Sequence, residues 1–391
     1  MIILSGAALV LPDRLLSPGT LIIEGDRIVE VRDGTVADAT MHLGGRYIVP
    51  GFIDVHVHGL EGFDTLDGGY VIGAIAERLP RYGVTSFCPT TVACEPAQLR
   101  DVVDQVRSAR AAPPAGARVL PAHLESNFIS PEYVGAQPVH CLRSARAALM
   151  GAAGVEILDE IERAGSDVGI VTIAPERDGG VDLVRWLAGR GHRVSLGHSG
   201  ATFEQAVDAI AAGASQATHL FNRMPPLGQR SPGLAGAVLQ SDRVAAELIC
   251  DGMHVHPAML QVAIAAKRPA RVMAITDGTA GSGLAVGARA RLGGREILVG
   301  EDAARLADGT LAGSVTTMDR VFRLLVDIVG LSPVDAATMC ATTPALELGL
   351  ADRGRLLPGA LADLTVLDRD FAVVQTYVGG RLVNPAFPPP V

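Results

Sequence analysis

The residue types that bind metal ions and move protons recur at one kind of place in this chain: the end of an apolar, β-branched run. GFIDVHVHG carries His56 and His58 one residue apart, PAHLES reaches Glu125, RVSLGH ends at His198, ATH at His219 and RVMAITD at Asp277. In a strand, side chains at i and i+2 share a face, so His56 and His58 point the same way. Imidazole and carboxylate donors suit Zn²⁺, Fe²⁺, Co²⁺ or Mn²⁺, and a catalytic site keeps one position open for water. Taken singly, each histidine is as easily a satisfied core residue, and Asp277 a turn-capping aspartate. Their shared placement favours one divalent-metal site. Beside it, the useful role for Asp277 is proton transfer, from the attacking water to a leaving amine. His123 faces the same way as Glu125 and reads as support for a ligand. His256 reads as an exposed loop residue, and His42, His140 and His192 belong to no motif.

Residues spread over 220 positions can meet only if the fold gathers strand ends. Eight strand-like runs, at 51–58, 84–91, 118–125, 169–176, 193–199, 216–222, 245–252 and 271–278, alternate with helical stretches such as PAQLRDVVDQVRSARAA. This alternation predicts a parallel sheet covered on both faces, and a (β/α)₈ barrel brings the C-terminal strand ends to one mouth. Helices are expected near 315–330 and 333–349. Residues 1–49 instead alternate short strands and turns, as in TLIIEGDRIVEVRDG, and the same texture returns in ADLTVLD and VVQTYVGGRLV. The expected division is therefore 50–349 as the barrel, with 1–49 plus 350–391 as one small β-module.

Composition narrows the function classes. The chain is 48% hydrophobic and 19% charged with net charge −9, so it is globular and lacks the basic footprint of a nucleic-acid partner. No apolar run approaches the ~20 residues of a membrane helix. The start, MIILSGAALVLPDRLL, reads as a strand and not a signal peptide. Five cysteines without a C-x-x-C pair suit free thiols in a reducing cytoplasm. The glycine-rich 278–283 stretch fits neither a dinucleotide fingerprint nor a P-loop, and no G-x-S-x-G elbow occurs.

In this order the motifs resemble the amidohydrolase superfamily, and more narrowly the N-acetylglucosamine-6-phosphate deacetylase family. The stretches that carry the resemblance include GFIDVHVHG, VTSFCPTT, AHLES, TIAPE, GHSGATFEQA, THLFNRMPPLGQRSPGLAGA, CDGMHVHP, ITDG, LAGSVTTMD and GRLLPGALADLTVLD. The resemblance implies a (β/α)₈ barrel, a β-sandwich from both termini, and a homodimer. It carries metal ligation onto Glu125, His198 and His219 and acid/base catalysis onto Asp277. Relatives with H-x-H can hold a second ion with Glu125 bridging, and others work with one, so His56 and His58 permit one or two ions, zinc first among them. A carboxylated-lysine bridge is excluded, because Lys267, the single lysine, is far from any strand end.

Phosphate recognition carries onto Asn222, Arg230 and His254, with Arg230 reaching the partner subunit's site. A phosphate dianion approaching a protein of charge −9 needs such a cationic clamp. The implied reaction is hydrolysis of the acetamide of N-acetyl-D-glucosamine 6-phosphate to glucosamine 6-phosphate and acetate. The alternatives are a related substrate such as N-acetylgalactosamine 6-phosphate, or a non-catalytic sugar-phosphate-binding barrel. Four departures from the family pattern cluster near the expected substrate: Ser126-Asn127 for Gly-Pro, Gln137 for histidine, Arg223 for a small residue and Gly278 for alanine. Gln137 and Arg223 are accordingly expected to touch substrate.

Overall fold

The computed structural model describes residues 1–113 and 115–384. Residue 114, and the 385–391 tail assigned to the terminal module, lie outside the described residues. The eight barrel strands are Phe52–Val57, Val84–Thr91, Ala122–Leu124 (preceded by the short Arg118–Val119), Val168–Ile173, Arg193–Leu196, Ala214–Ala217, Ala245–Ile249 and Val272–Ile275. Neighbours pair in parallel in chain order from the first to the eighth. Every residue of the first, second, seventh and eighth strands is buried, as both-face coverage requires.

The seam between the eighth strand and the first is closed mostly at the mouth. Asp277 N–H donates to His56 O at 3.0 Å and His58 N–H to Gly278 O at 2.7 Å. Deeper in the seam a side chain replaces the ladder. The Asp54 carboxylate accepts from Thr276 Oγ1 at 2.6 Å and from His56 N–H at 3.2 Å. Closure thus places His56, His58 and Asp277 side by side.

The helices follow from capping and periodicity. Pro96–Ala111 begins with a Glu95/Gln98 capping box and proline at its first position, and it buries Leu99, Val102, Val103 and Val106. The helix expected over 333–349 is broken into Pro333–Ala337, a π-turn at Thr338–Thr342, and Thr343–Glu347. Pro344, which has no N–H to donate, accounts for the interruption. No helix among the described residues is long and apolar enough to cross a membrane.

The terminal strands form one hydrogen-bonded eight-stranded sheet, in which Tyr47–Pro50 pairs antiparallel with Leu364–Leu367. The sheet bends until Ile28 N–H reaches Ala360 O at 2.9 Å, enclosing Leu4, Leu9, Leu21, Ile48, Leu364 and Val366. Phe371 packs on Tyr47 and on Phe322 of a barrel helix, with ring centroids 5.1 and 5.6 Å apart. Beyond expectation, three antiparallel strands, Arg289–Leu292, Arg295–Val299 and Ala304–Arg305, follow the eighth barrel strand. Gly293 N–H donates to Asp64 at 2.9 Å and Arg295 to Ala136 O at 3.0 Å, which ties this flap to the rim of the mouth.

Candidate active site

The side chains singled out from the sequence are held at the mouth by sharp exits from the strands. His198, His219 and Asp277 have φ of 48°, 30° and 50°, and Phe221 and Arg223 follow at 79° and 51°. Left-handed backbone at non-glycine residues costs of order 1–3 kcal/mol each and persists where the surroundings fix it. Here each turn keeps a side chain aimed inward while the chain leaves the barrel.

Glu125 is the centre of the cluster. Its Oε1 lies 2.8 Å from His198 Nε2 and 2.8 Å from His219 Nε2, and these two nitrogens are 3.2 Å apart. Its Oε2 lies 3.5 Å from His58 Nε2, which is 3.2 Å from His56 Nε2. Asp277 Oδ1 is 3.4 Å from His56 Nε2 and 3.2 Å from His58 Nε2. Two donor groups therefore share one carboxylate: His56, His58 and Glu125, and Glu125, His198 and His219, each with its donor atoms within 4.8 Å of one another.

The donor set fits divalent ions. Nitrogens on one tetrahedral ion at ~2.0–2.1 Å sit about 3.3 Å apart, close to both observed separations. Electrostatics point the same way. Burial lowers the His219 imidazole, but the Glu125 carboxylate bonded to it overrides this and holds it up at about 9. Burial raises the Glu125 carboxyl, yet His198 and His219 hold it well below the usual range. Glu125 and His219 thus demand a positive charge between them, and without an ion a proton serves. Burial drives His56 down to about 3, so it is the neutral imidazole a ligand must be. Asp277 is raised by burial but held below its ordinary value by His56 and His58, and stays ionised.

Outer contacts fix the ligand tautomers. His198 Nδ1–H donates to Tyr133 O at 2.7 Å and His56 Nδ1–H to Glu247 at 2.9 Å, leaving each Nε2 for an ion. Glu247 and Asp54 were not foreseen, although each is a lone acid in an apolar strand, AAELI and GFIDVHV. Burial pushes both carboxyls up to about 7. His123 lies under His56, with ring centroids 4.5 Å apart; its nitrogens are taken by Val55 O and Thr172 Oγ1 at 3.0 and 2.9 Å.

A cavity of about 470 Å³ opens over the cluster, lined among others by Gln137, Asn222, Arg223, His254 and Leu292. His254 Nδ1 bonds Asp251 at 2.6 Å, and Arg223 donates to Leu311 O at 3.3 Å. Arg223 crosses Gly135, where a Cβ would stand 2.6 Å from its Nε, so glycine is what lets the guanidinium reach the cavity. Gln137 accepts from Ala93 N–H at 2.7 Å and donates to Glu125 Oε2. Arg230 is exposed and does not line this cavity within its own chain. Ser126 and Asn127 turn inward. Ser126 Oγ donates to Thr172 O, and Asn127 Nδ2 donates to Cys94 O and Cys141 O, both at 2.7 Å. Of the four departures, then, Gln137 and Arg223 line the cavity; Ser126, Asn127 and Gly278 do not.

Residues 47–383 match the amidohydrolase family. This chain belongs to that family. It is 39% identical over 386 residues to the human N-acetylglucosamine-6-phosphate deacetylase, covering 95% of this chain and 89% of the relative. It is 33% identical over 369 residues to an N-acetylgalactosamine-6-phosphate deacetylase of Escherichia coli O157:H7, covering 92% and 95%. Among solved structures, the N-acetyl-D-glucosamine-6-phosphate deacetylase of Mycobacterium smegmatis superposes with TM-score 0.89 at 35% identity, covering 98% of this chain and 99% of that one. That structure is an aspartate-to-alanine variant in complex with N-acetyl-D-glucosamine-6-phosphate.

Proposed function

We propose that this chain hydrolyses the acetamide of N-acetyl-D-glucosamine 6-phosphate, yielding glucosamine 6-phosphate and acetate. The observation that carries the reading is the Glu125 carboxylate shared by two imidazole pairs, with Asp277 3.2 Å from one of them. Glu125, His198 and His219 would hold one divalent ion, and His56 and His58 with Glu125 would hold a second. Zinc suits this nitrogen and oxygen set. Such an ion polarises an amide carbonyl and lowers the pKa of water toward ~7. Asp277, ionised at the mouth, accepts the proton of the attacking water and returns it to the departing amine. Gln137, braced by Ala93, steadies Glu125 while lining the cavity. Arg223, His254 and Asn222 meet the sugar phosphate from within the chain, and Arg230 meets it from a partner subunit of a homodimer. Asp251 holds His254 with its other nitrogen toward the cavity. Residues 1–49 and, among the described residues, 350–384 form the supporting module beside a barrel of 50–349, and the enzyme works in the cytoplasm.

The likeness to the galactosamine-phosphate enzyme, and the presence of Gln137 and Arg223 in the cavity, favour one further reading: the same chemistry on the epimeric sugar. The test is acetate release from N-acetylglucosamine 6-phosphate, N-acetylgalactosamine 6-phosphate and unphosphorylated N-acetylglucosamine by zinc-loaded protein. The expected order of kcat/KM follows that sequence. Preference for the galacto epimer would exchange the two sugar readings. Equal turnover of the unphosphorylated sugar would overturn the phosphate clamp, and no acetate release would leave a sugar-phosphate-binding barrel.

A further inference from the structure

A second donor cluster lies outside the mouth. Glu95, His140 and Cys141 place a carboxylate oxygen, an imidazole nitrogen and a thiol sulfur within 4.8 Å of one another. The elements that bring them together are independent. Glu95 is the N-cap of the Pro96–Ala111 helix, and His140 and Cys141 lie in the single turn Val139–Cys141. Cys141 is buried while His140 stands at the surface above it.

The geometry points to a metal site. Cys141 Sγ is 3.5 Å from Glu95 Oε1. A thiolate at ~2.3 Å and a carboxylate oxygen at ~2.0–2.2 Å on one tetrahedral zinc ion are about 3.5 Å apart. Arg143 donates to the other oxygen, Oε2, at 3.1 Å. It orients the carboxylate and leaves Oε1 toward the sulfur, as an outer partner of a ligand does. Thiolate, carboxylate and guanidinium sum to −1, a favourable surrounding for a divalent cation. We propose that Glu95, His140 and Cys141 bind one zinc-class ion, with the fourth position open to solvent beside the exposed His140.

The site borders the catalytic loops. Asn127, two residues from Glu125, clamps the backbone oxygens of both Cys94 and Cys141, and the same loop carries Gln137. An ion there ties the 137–141 loop to the start of the Pro96–Ala111 helix. Without the ion, burial and the bond to Glu95 push the Cys141 thiol up to about 11. Binding therefore replaces the S–H proton, which leaves to solvent, one per ion.

The catalytic cluster contains no sulfur, so a thiolate-to-metal charge-transfer band reports this site alone, whatever the fate of the deacetylase reading. Protein with its catalytic positions filled by zinc is titrated with Cd²⁺ and read in the ultraviolet. The expected result is a band saturating at one thiolate per chain. It disappears in Cys141→Ser and persists in Cys94→Ser, and apparent affinity falls tenfold or more in His140→Ala and Glu95→Gln. His140 is at the surface, so its removal leaves folding intact and keeps the test decisive if Cys141→Ser fails to fold. No band in the unmodified protein, a band surviving in Cys141→Ser, or unchanged affinity in His140→Ala would each overturn the site.

Discussion

The two halves of the catalytic cluster share Glu125 but rest on different floors. The strands leading to His198 and His219 contribute neutral groups below the ligands. Thr218 Oγ1 lies 2.6 Å from Ser195 Oγ and 2.8 Å from Thr172 Oγ1, and Gln216 is buried with them. Below His56 and His58 the floor is titratable: Asp54, His123 and Glu247, all fully buried. Backbone geometry divides the same way. His198 and His219 are in left-handed turns, whereas His56 lies inside the strand Phe52–Val57, where the pairing register shifts between Asp54 and Val57. One half is held by chain shape, the other by buried charge. Each half nevertheless has one histidine with a fixed Nδ1 and one, His219 or His58, whose Nδ1 has no hydrogen-bond partner among the described residues. Ligand placement is thus secured by backbone strain in one half and by electrostatics in the other, with distinct sensitivities to mutation and pH.

The shared carboxylate is the place where the distinction vanishes. Glu125→Gln removes the charge that both halves require, so both ions should be lost and kcat/KM should fall by ~10³ or more, the several kcal/mol that a bound ion supplies. Elemental analysis beside acetate release checks this. Retention of one ion would mean that one half binds without Glu125. A somewhat smaller effect, ~10²-fold on kcat, is expected for Asp277→Asn, which cannot accept a proton. Its metal content and KM should stay near those of the unmodified protein. A loss of metal would recast Asp277 as a ligand of the His56–His58 half.

These assignments show where the sequence was legible. His56, His58, Glu125, His198, His219 and Asp277 could be read because each ends an apolar run, and a parallel barrel collects such ends. The eight strands matched in number and order because buried parallel strands are continuous apolar runs, with the sixth displaced furthest, 216–222 expected against Ala214–Ala217. Glu247 and Asp54 were missed because a lone acid inside a strand carries no spacing signal until the barrel closes around it. The Arg289–Arg305 flap was missed although Gly293-Gly294 between alternating residues is a hairpin signature; its strands are short and half exposed. The inward turn of Ser126 and Asn127 depends on carbonyls of Cys94, Cys141 and Thr172, which sequence does not place nearby.

Glu247 gives a finer test of the two floors. Its carboxylate accepts from His56 Nδ1–H at 2.9 Å and, more weakly, from His219 N–H at 3.4 Å, while its backbone oxygen accepts from Leu220 N–H at 2.9 Å whatever the side chain. Glu247→Gln should weaken metal binding about tenfold, at the lower end of the 10–100-fold typical for outer partners of ligands. The loss should fall on the His56–His58 position alone. Stepwise metal affinities from a competing chelator separate the positions. Equal weakening of both would mean that the floors are mechanically one.

The smallest effect concerns acid stability. His123 is wholly buried against His56, and burial pushes its imidazole down to about 4 from the ordinary 6.5. Its folded value is depressed, so between pH 6.5 and 4 the unfolded chain binds a proton that the native fold declines. The contribution is complete above pH 6.5 and is lost as pH falls toward 4, by about 1.4 kcal/mol per unit. Asp54 and Glu247, raised to about 7, act with the opposite sign: their ionisation costs stability as pH rises toward 7. The difference between variants carries the His123 contribution together with its coupling to Glu247, 3.8 Å away. In metal-free protein, urea unfolding at pH 7 and pH 5 should show His123→Gln escaping about 2 kcal/mol of the acid destabilisation of the unmodified chain. The escape follows because the variant has no imidazole to charge on unfolding. A difference below ~0.5 kcal/mol would mean that His123 takes up its proton within the fold. The floor beneath His56 would then be no more acid-sensitive than the neutral floor of Ser195, Gln216 and Thr218.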